Sequence, residues 1–302
     1  MMKNPFARKY DWYFSAALVV LPALAVVVTA MLLANGTIRF TWLDGVLLAV
    51  MYSLTMLGIG AGFHRLFSHR AYRASPGLRL ALVIFGSMAG QGTMFYWAAS
   101  HRRHHQNSDQ GGDVHSPHIK GGGELGVLRG LWHSHIGWLF EAEDLDWAQL
   151  VPDLIRDRPL LVANRLYFLW LVLGLALPAA VGGIVVGNWM GALEGFLWGG
   201  LVRMFIAHHS VWSINSVCHL IGSRPHVSGD KSRNNWLVAL MTYGEGWHNN
   251  HHAFPFVYTS RMRWWEIDLN GVAIRLFQRA GLASDLRELK SRQAGEAVSG
   301  GT

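Results

Sequence analysis

Charged residues and cysteine are both scarce in this chain of 302 residues. Asp, Glu, Lys and Arg together make up 15% of the sequence, against 51% for hydrophobic residues. That balance is too apolar for an ordinary soluble globular protein and indicates a membrane protein. The single cysteine, Cys218, excludes a disulfide framework within the chain and an iron–sulfur cluster held by its own cysteines.

A nucleic-acid partner is also disfavoured, although the net charge is +7. No basic recognition helix or nucleic-acid-binding motif accompanies the positive charge. We expect the basic residues to face anionic lipid and the charged head of a substrate on the cytosolic side of a membrane. Fourteen Trp and eight Tyr are consistent with aromatic belts at the lipid–water interface.

Long stretches without charge predict the membrane-spanning helices. Residues 12–38 and 45–63 contain no Asp, Glu, Lys, Arg or His, and about 20 apolar residues suffice to cross a bilayer. We predict four spans, at about residues 12–34, 41–63, 166–187 and 189–211. The fourth carries Arg203, whose side chain is expected to extend toward the nearer end of the span.

The side of the membrane follows from the basic residues. Lys3, Arg8 and Lys9 precede the first span, so both termini are expected in the cytosol. The apolar stretch 78–98 is not expected to cross, because a crossing would put His64 and His101 on opposite sides. We therefore predict one domain over 1–302. It would have a cytosolic helical cap at 64–165 and 212–290 and a disordered tail at 291–302.

Histidine is abundant, with sixteen residues, and eight of them fall into three short clusters. His64 and His69 are five residues apart, which is about 500° on an α-helix, so a widened helix end is expected there. The other two clusters repeat at i, i+3 and i+4, a spacing that shares one helical face: His101, His104, His105 and His248, His251, His252. Imidazole suits iron, zinc and copper, and eight ligands exceed one tetrahedral metal. Two metals of higher coordination number fit better.

Other residues can complete such a site. His219 follows Asn215 by four residues and can supply a ninth nitrogen, while the Asn215 amide holds a metal-bound water. Carboxylates are expected to fix the histidine tautomers. Glu245, near His248, is the first candidate, followed by Asp109 and Asp113. For the remaining histidines we expect interfacial packing (His208, His209) or surface and hydrogen-bonding roles (His115, His118, His133, His135, His226).

Four motifs resemble those of membrane fatty-acyl desaturases of the stearoyl-CoA desaturase-like family. They are HRLFSH (His64–His69), HRRHH (His101–His105), NSVCH (Asn215–His219) and EGWHNNHHAFP (Glu245–Pro255). The resemblance implies an all-α membrane protein with four transmembrane helices under a cytosolic cap. It implies a di-iron centre held by His64, His69, His101, His104, His105, His219, His248, His251 and His252, with Asn215 acting through water.

The resemblance also implies an acyl tunnel entering the membrane region. Gln91, Trp97 and Trp212 fall where the family lines and kinks that tunnel, and a kink fixes which C–C bond faces the metals. Val211 stands where the family has Thr. Met56 stands where a small residue usually lines the far end, and Tyr52 lies one turn deeper. These two residues predict an acyl chain shorter than stearoyl.

The chain departs from the animal acyl-CoA enzymes where they contact the CoA head group. Ala99 and Ser100 replace an Arg-Asp pair, and Gly92 replaces a polar residue. CoA, acyl carrier protein and phospholipid therefore all remain possible acyl carriers.

The activity expected from the resemblance is oxygen-dependent introduction of a cis double bond into a fatty-acyl chain. Electrons would come from an external donor, a ferredoxin or small cytochrome with its reductase. An acetylenase, hydroxylase or decarboxylating variant, acting on a short or medium acyl chain bound to acyl carrier protein, could use the same ligands. A metal transporter is a different class and would place its ligands inside the spans. The expected location is a bacterial inner membrane.

Overall fold

A computed structural model describes residues 9–119, 123–141 and 145–289. Lys3, Arg8 and the predicted tail at 291–302 lie outside the described residues. The described chain is almost entirely helical. Its strands, β1 (Arg73–Ala74) and β2 (Ala283–Ser284), form one short antiparallel pair.

Four helical rods in the described part of the chain are long and apolar enough to cross a membrane, which confirms the predicted fold class. Their candidate spans are Trp12–Ala34, Trp42–Ser68, Tyr167–Val186 and Trp189–His219. The second and fourth extend past the predicted ends near 63 and 211. Both rods therefore continue beyond the apolar stretch and carry histidines at their ends.

The four rods differ in how far they are buried. The first is α1 (Lys9–Ala34) and the third is α9 (Tyr167–Val186), and only 17% of each apolar window is buried. The second is α2 (Trp42–Leu57) with a π-helical extension (Gly58–Ser68), and the fourth includes α10 (Trp189–Gly195) and α11 (Arg203–Ser216). Their windows are 56% and 50% buried. The histidine-bearing rods are therefore the inner pair.

The end of the second rod has a wider helical turn, as the spacing of His64 and His69 predicts. The π-helix spans eleven residues, and the His69 N–H donates to the His64 carbonyl at 3.1 Å. Close packing of this rod depends on glycine. A Cβ on Gly58 would lie 2.1 Å from the Gly86 nitrogen, and a Cβ on Gly60 would lie 2.0 Å from Asn270 Nδ2.

The remaining helices form the part of the protein that we call the cap. They are α3 (Pro76–Ser87), α4 (Met94–Asn107), α5 (Gly123–His135), α6 (Trp147–Leu150), α7 (Pro152–Ile155), α8 (Arg158–Arg165), α12 (Trp236–Met241), α13 (His248–Ala253) and α14 (Leu269–Arg279). Their main apolar core includes Phe63 and Phe67 of the π-helix, Leu82 of α3, Phe95 of α4 and Ile274 of α14.

The apolar stretch 78–98 does not form a single helix. α3 ends at Ser87, and α4 begins at Met94 with Thr93 as its N-cap. Between them Gly90 and Gly92 adopt positive φ angles of 74° and 89°, which glycine adopts readily. The chain reverses here, and His64 and His101 reach the same cluster.

Arg203 does not extend toward an end of the fourth span, so that expectation is wrong. Its guanidinium is fully buried and donates to the carbonyl oxygens of Gly199, Met88 and Gly174 at 2.8–3.2 Å. Met88 follows the last residue of α3, where the carbonyl groups lack helical partners. The arginine therefore joins α11 to α9 and to the end of α3.

Candidate metal centre

The nine histidines of the four motifs gather into two adjoining groups. In each group the ligand atoms lie within 4.8 Å of one another. The five-histidine group contains His64, His69, His101, His105 and His251, and the four-histidine group contains His104, His219, His248 and His252. The sequence did not predict how the nine divide between the two groups.

Two helices, α4 and α13, supply histidines to both groups. His101 and His105, four residues apart on α4, belong to the five-histidine group, while His104 belongs to the other. On α13 the pattern is reversed, because His248 and His252 share the four-histidine group and His251 does not. Adjacent residues on a helix point about 100° apart. Each His-His pair therefore divides its rings between two neighbouring sites, and the expectation of one shared face for each triplet is too simple.

The Nε2 atoms converge inside each group. His251 Nε2 lies 3.0 Å from Nε2 of both His64 and His105. In the four-histidine group, His219 Nε2 lies 3.0 Å from His248 Nε2. Converging nitrogens at such distances leave their lone pairs directed at a common centre.

Carboxylates contact the outward Nδ1 atoms of four of these histidines among the described residues. Glu245 lies 2.7 Å from His64 Nδ1, Asp113 lies 2.8 Å from His104 Nδ1, and Asp109 lies 2.9 Å from His219 Nδ1. Asp230 contacts His252 Nδ1. A carboxylate at Nδ1 holds the proton there and leaves Nε2 free to bind a metal.

Two of these pairings differ from the sequence interpretation. Glu245 precedes His248 by three residues, but it contacts His64 of the π-helix instead. Asp230 was missed. It lies 22 positions before His252 in a loop where Ser228 and Ser232 donate to its side chain. No local spacing relates it to a histidine motif.

Burial favours the neutral form of six of the nine histidines. It holds the pKa of His69, His101, His105, His248 and His251 well below the ordinary value, and it lowers the pKa of His252 to about 4. For Glu245, burial alone would raise the pKa of the carboxyl group, but the Arg65 guanidinium at 2.9 Å and His64 lower it to about 2. Neutral imidazoles beside ionised carboxylates are the protonation states that metal binding needs.

The donor set fits two metal ions. Five imidazoles in one group exceed the coordination of a tetrahedral structural zinc, and nitrogen ligands suit iron. Asn215 lies one turn before His219 at the end of α11 and is partly buried. Its role in holding a water at the four-histidine group stays a prediction.

Most of the predicted tunnel residues lie together beside the five-histidine group. Met56 and Val211 belong to one buried apolar cluster with Ile59, Ala89 and Ala207, and Tyr52 and Trp97 pack against it. The Trp97 ring stacks on His101 with ring centroids 5.0 Å apart. This cluster therefore adjoins the five-histidine group at its Trp97 side.

The other two tunnel predictions, Gln91 and Trp212, lie around this cluster, and Tyr52 at its edge makes hydrogen bonds. Gln91 Nε2 donates to the Ala207 carbonyl at 3.4 Å. Trp212 is buried and packs against His208 with centroids 5.0 Å apart. The Tyr52 hydroxyl contacts the Met241 carbonyl at 2.6 Å and Ser210 Oγ at 3.0 Å. Tyr52 therefore ties α2 to α11 and to the end of α12.

The positions that depart from the acyl-CoA enzymes offer little polar surface. Ala99 and Ser100 are both buried within α4. The Gly92 N–H donates to the Tyr167 hydroxyl at 3.2 Å.

The remaining histidines are less exposed than the sequence suggested. His208 is fully buried inside the bundle, where its Nε2 lies 2.7 Å from the Ala89 carbonyl, so interfacial packing is wrong for it. His115 and His133 are buried and are not surface residues. Hydrogen bonding is found for His118, which contacts the His219 carbonyl at 2.9 Å, and for His135, which lies 3.0 Å from His209. His226 is partly buried.

Comparison with known proteins agrees with this geometry. The Fatty acid desaturase family model matches residues 40–281. The chain is 46% identical over 243 residues to a hex-5-enoyl-[acyl-carrier protein] acetylenase of Moorena producens (strain JHB), covering 80% of this chain and 76% of that protein. It is 34% identical to an sn-1 stearoyl-lipid 9-desaturase of Anabaena variabilis, covering 84% of this chain and 88% of that protein.

A third relative has a different acyl carrier in its name. The chain is 33% identical to acyl-CoA desaturase 1 of Saccharomyces cerevisiae (strain ATCC 204508 / S288c), covering 82% of this chain and 46% of that longer protein. The family match extends over most of the chain and includes all four histidine motifs. With its membrane-spanning helices and its two histidine groups, this chain belongs to the fatty acid desaturase family and is an oxidoreductase.

Proposed function

We propose that the protein is an oxygen-dependent fatty-acyl desaturase with two iron ions, one in each histidine group. The observation that carries this proposal is the convergence of nine Nε2 atoms, most of them on buried histidines, in two adjoining groups. The irons would supply the activation of dioxygen and the removal of hydrogen from an unactivated C–H bond. The overall reaction consumes one dioxygen, two electrons and two protons, forms one C=C bond and releases two waters.

The residues of this chain prepare the site for that chemistry. Asp109, Asp113 and Asp230 keep a proton on Nδ1 of their histidines, so that the opposite nitrogen faces the metal. Glu245 places its negative charge 2.7 Å from His64 Nδ1, and it also pairs with buried Arg65. These contacts fix the ring orientations before substrate arrives.

The acyl chain is held by the apolar cluster around Met56 and Val211. Its walls exclude water, and Trp97 connects the cluster to His101 of the five-histidine group. Gln91 and Trp212 flank it and would set the bend that presents one C–C bond to the metals. The cluster gives the chain a fixed depth, because Met56 is almost fully buried.

A short or medium acyl chain on acyl carrier protein is the substrate that we favour. Buried Met56 and the hydrogen-bonded Tyr52 restrict the length available to the chain. The relative from Moorena producens is named for a hexenoyl group on acyl carrier protein. Ala99, Ser100 and Gly92 also depart from the positions that contact CoA in the animal enzymes.

The same relative supports a second candidate activity. An acetylenase converts a C=C bond into a triple bond, and it needs the same dioxygen, electrons and protons as a desaturase. The two activities differ only in whether the bound bond is already unsaturated. We therefore propose acetylenase activity on a short unsaturated chain as the alternative to desaturation.

We further propose that the histidine groups and both termini face the cytosol of a bacterial cell, with the four spans in the inner membrane. Electrons would come from an external ferredoxin or small cytochrome with its reductase. We do not propose a metal transporter. Its ligands would lie inside the spans, whereas these histidines gather at the ends of the second and fourth rods and in the cap.

The test is to express the chain with iron, an acyl carrier protein and an electron-donor system, and to feed saturated and terminally unsaturated acyl chains. Mass spectrometry then identifies acyl products that have lost two hydrogens. The iron content is measured on the same sample. About two irons per chain and an oxygen-dependent double bond support the main proposal. A triple bond formed from the unsaturated chain, with no double bond formed from the saturated chain, favours the acetylenase. Zinc in iron-replete protein, or products formed without dioxygen, would contradict both.

A further inference from the structure

One face of the cap exposes a row of large apolar side chains. Trp236, Leu237 and Leu240 of α12 are 67%, 51% and 52% exposed, and Trp264 is 85% exposed. The same surface includes Ile267 before α14 and Val272 and Leu276 on it, all more than half exposed. We call these seven residues the α12–α14 face.

The members of the α12–α14 face lie on neighbouring segments. The Trp247 indole N–H donates to the Ile267 carbonyl at 2.8 Å, and the Trp247 and Trp265 ring centroids are 5.4 Å apart. At the other end of α12, the Asn270 N–H donates to the Tyr243 carbonyl at 2.9 Å. The Asn235 N–H in turn donates to the Gly246 carbonyl, and the Gly244 N–H donates to the Ala239 carbonyl. Residues 243–247 therefore link α12 to residues 265–270 and bring the exposed side chains to one part of the cap. Water-exposed apolar surface of this extent marks an interaction site.

The end of α12 touches a membrane-spanning helix well below the metal ligands. The Tyr52 hydroxyl donates to the Met241 carbonyl at 2.6 Å, and Ser53 Oγ lies 2.8 Å from the Tyr243 hydroxyl. Tyr52 is twelve positions before His64 on the second rod. Val46 and Val50 of the same helix are 47% and 50% exposed, as expected for side chains that face lipid. The α12–α14 face is therefore continuous with the lipid-facing surface of the second rod.

Basic side chains border the face. Arg224 and Arg263 line one pocket together with Trp265, and the Arg263 guanidinium lies 6.0 Å from the Trp265 ring centroid. Arg261 is exposed, and its guanidinium donates to the Trp264 carbonyl at 2.7 Å. Arginine and tryptophan around an apolar surface match the interface of a bilayer, where cations meet anionic head groups and indole rings lie at their level.

We propose that the α12–α14 face is inserted into the lipid interface of the cytosolic leaflet, with Arg224, Arg261 and Arg263 binding the head groups of anionic phospholipids. The proposal rests on the membrane topology proposed above. α12 would lie in the interface in the manner of an amphipathic helix. Because the chain runs directly from α12 through Glu245 to α13, this contact would fix the height of the histidine-bearing segment above the bilayer.

Spin-label depth measurements on the full chain in lipid nanodiscs test the proposal. Single cysteines are introduced by Leu240→Cys and Trp264→Cys, while native Cys218 is buried and unreactive. Val50→Cys gives a bilayer reference. Gln110→Cys, in the exposed polar loop after α4, gives a water reference. The accessibility of each label to dioxygen, which partitions into lipid, is compared with its accessibility to a water-soluble nickel chelate.

We expect the labels at positions 240 and 264 to be more accessible to dioxygen than to nickel, with values between those at 50 and 110. Nickel accessibility equal to that at 110 would overturn the proposal, because the face would then lie in water. Low accessibility to both reagents would also overturn it, since a second copy or another protein would then cover the face. If the label at position 50 itself is accessible to nickel, the proposed membrane topology is wrong, and the proposed lipid contact of the α12–α14 face falls with it.

The arginines have a separate test with a matched control. Raising the fraction of phosphatidylglycerol in the nanodisc should move the label at position 240 deeper in the otherwise unchanged protein. The double variant Arg224→Gln, Arg263→Gln should lose this response. The double variant Arg156→Gln, Arg158→Gln, which removes two exposed arginines elsewhere in the cap, should keep it. An equal response in all three proteins would overturn the assignment of the head-group contacts.

Discussion

The two histidine groups differ in charge and in exposure. The four-histidine group is completely buried and contacts three aspartates, for which the described residues show no ion pair with Lys or Arg. The five-histidine group includes partly exposed His69 and His105, and its one carboxylate, Glu245, is paired with Arg65. Negative charge around a metal stabilises its positive charge. The comparison teaches that the two histidine groups have unequal electrostatic surroundings although both are built of imidazole.

The largest effect is expected from removing one ligand from each group. His251→Ala and His252→Ala should each abolish turnover, because the two metals act together and each loses a nitrogen. Product analysis by mass spectrometry and iron content per chain measure the outcome. His226→Ala is the control, since His226 belongs to neither group. Turnover that survives loss of His251 while His226→Ala abolishes it would refute the ligand assignment.

The second effect concerns the carboxylates, and it tests the difference in charge between the two histidine groups directly. Asp230→Asn should lower the metal affinity of the four-histidine group by about 10–100-fold, because the N–H at His252 Nδ1 loses its ionised acceptor. Glu245→Gln should lower affinity less, because Arg65 already offsets the charge of Glu245. Competition with a chelator, followed by iron content, measures the two variants. Equal losses in both would show that the ion pair with Arg65 does not distinguish the groups.

The same two variants should rank in the opposite order for folding. Glu245→Gln leaves the buried Arg65 with only Asp268 as an ionised partner, and we expect about 1–3 kcal/mol of destabilisation. Asp230 lies in a loop where Ser228 and Ser232 are its other partners, so Asp230→Asn should cost less. Thermal unfolding in detergent, measured after metal removal, separates this effect from metal binding. A larger loss in Asp230→Asn would contradict the comparison.

The sequence predicted features that depend on short spacing and missed those that depend on packing between distant segments. The i, i+3, i+4 triplets and the five-residue spacing of His64 and His69 selected histidines that gather in the two groups and predicted the widened helix, because these are local helical geometry. The contact of Glu245 with His64 joins segments 181 positions apart (245 − 64). The contacts of Arg203 with Met88 and Gly174, and of Asp230 with His252, likewise join segments that are distant in the sequence. A pattern within a short stretch of sequence cannot predict such contacts.

The smallest expected effect concerns the length of the acyl chain. Met56 is almost fully buried, and its cluster reaches His101 of the five-histidine group through Trp97. Met56→Ala should make room for about two to three further methylenes, because a close-packed site loses three side-chain heavy atoms. Among the described residues, the ring contacts of this cluster reach His64 and His101 of the five-histidine group, so we expect the metal content to stay unchanged.

A competition assay with acyl chains of graded length, on the unchanged protein and on Met56→Ala, measures this shift. Tyr52→Phe is a useful companion, because it removes the hydroxyl that contacts Met241 and Ser210 but keeps the ring. If Met56 ends the tunnel, Met56→Ala shifts the preference to longer chains and Tyr52→Phe leaves it nearly unchanged. If Tyr52→Phe produces the larger shift, the limit lies one turn deeper, at the junction of α2, α11 and α12. An unchanged profile in both variants would remove both residues as the stop.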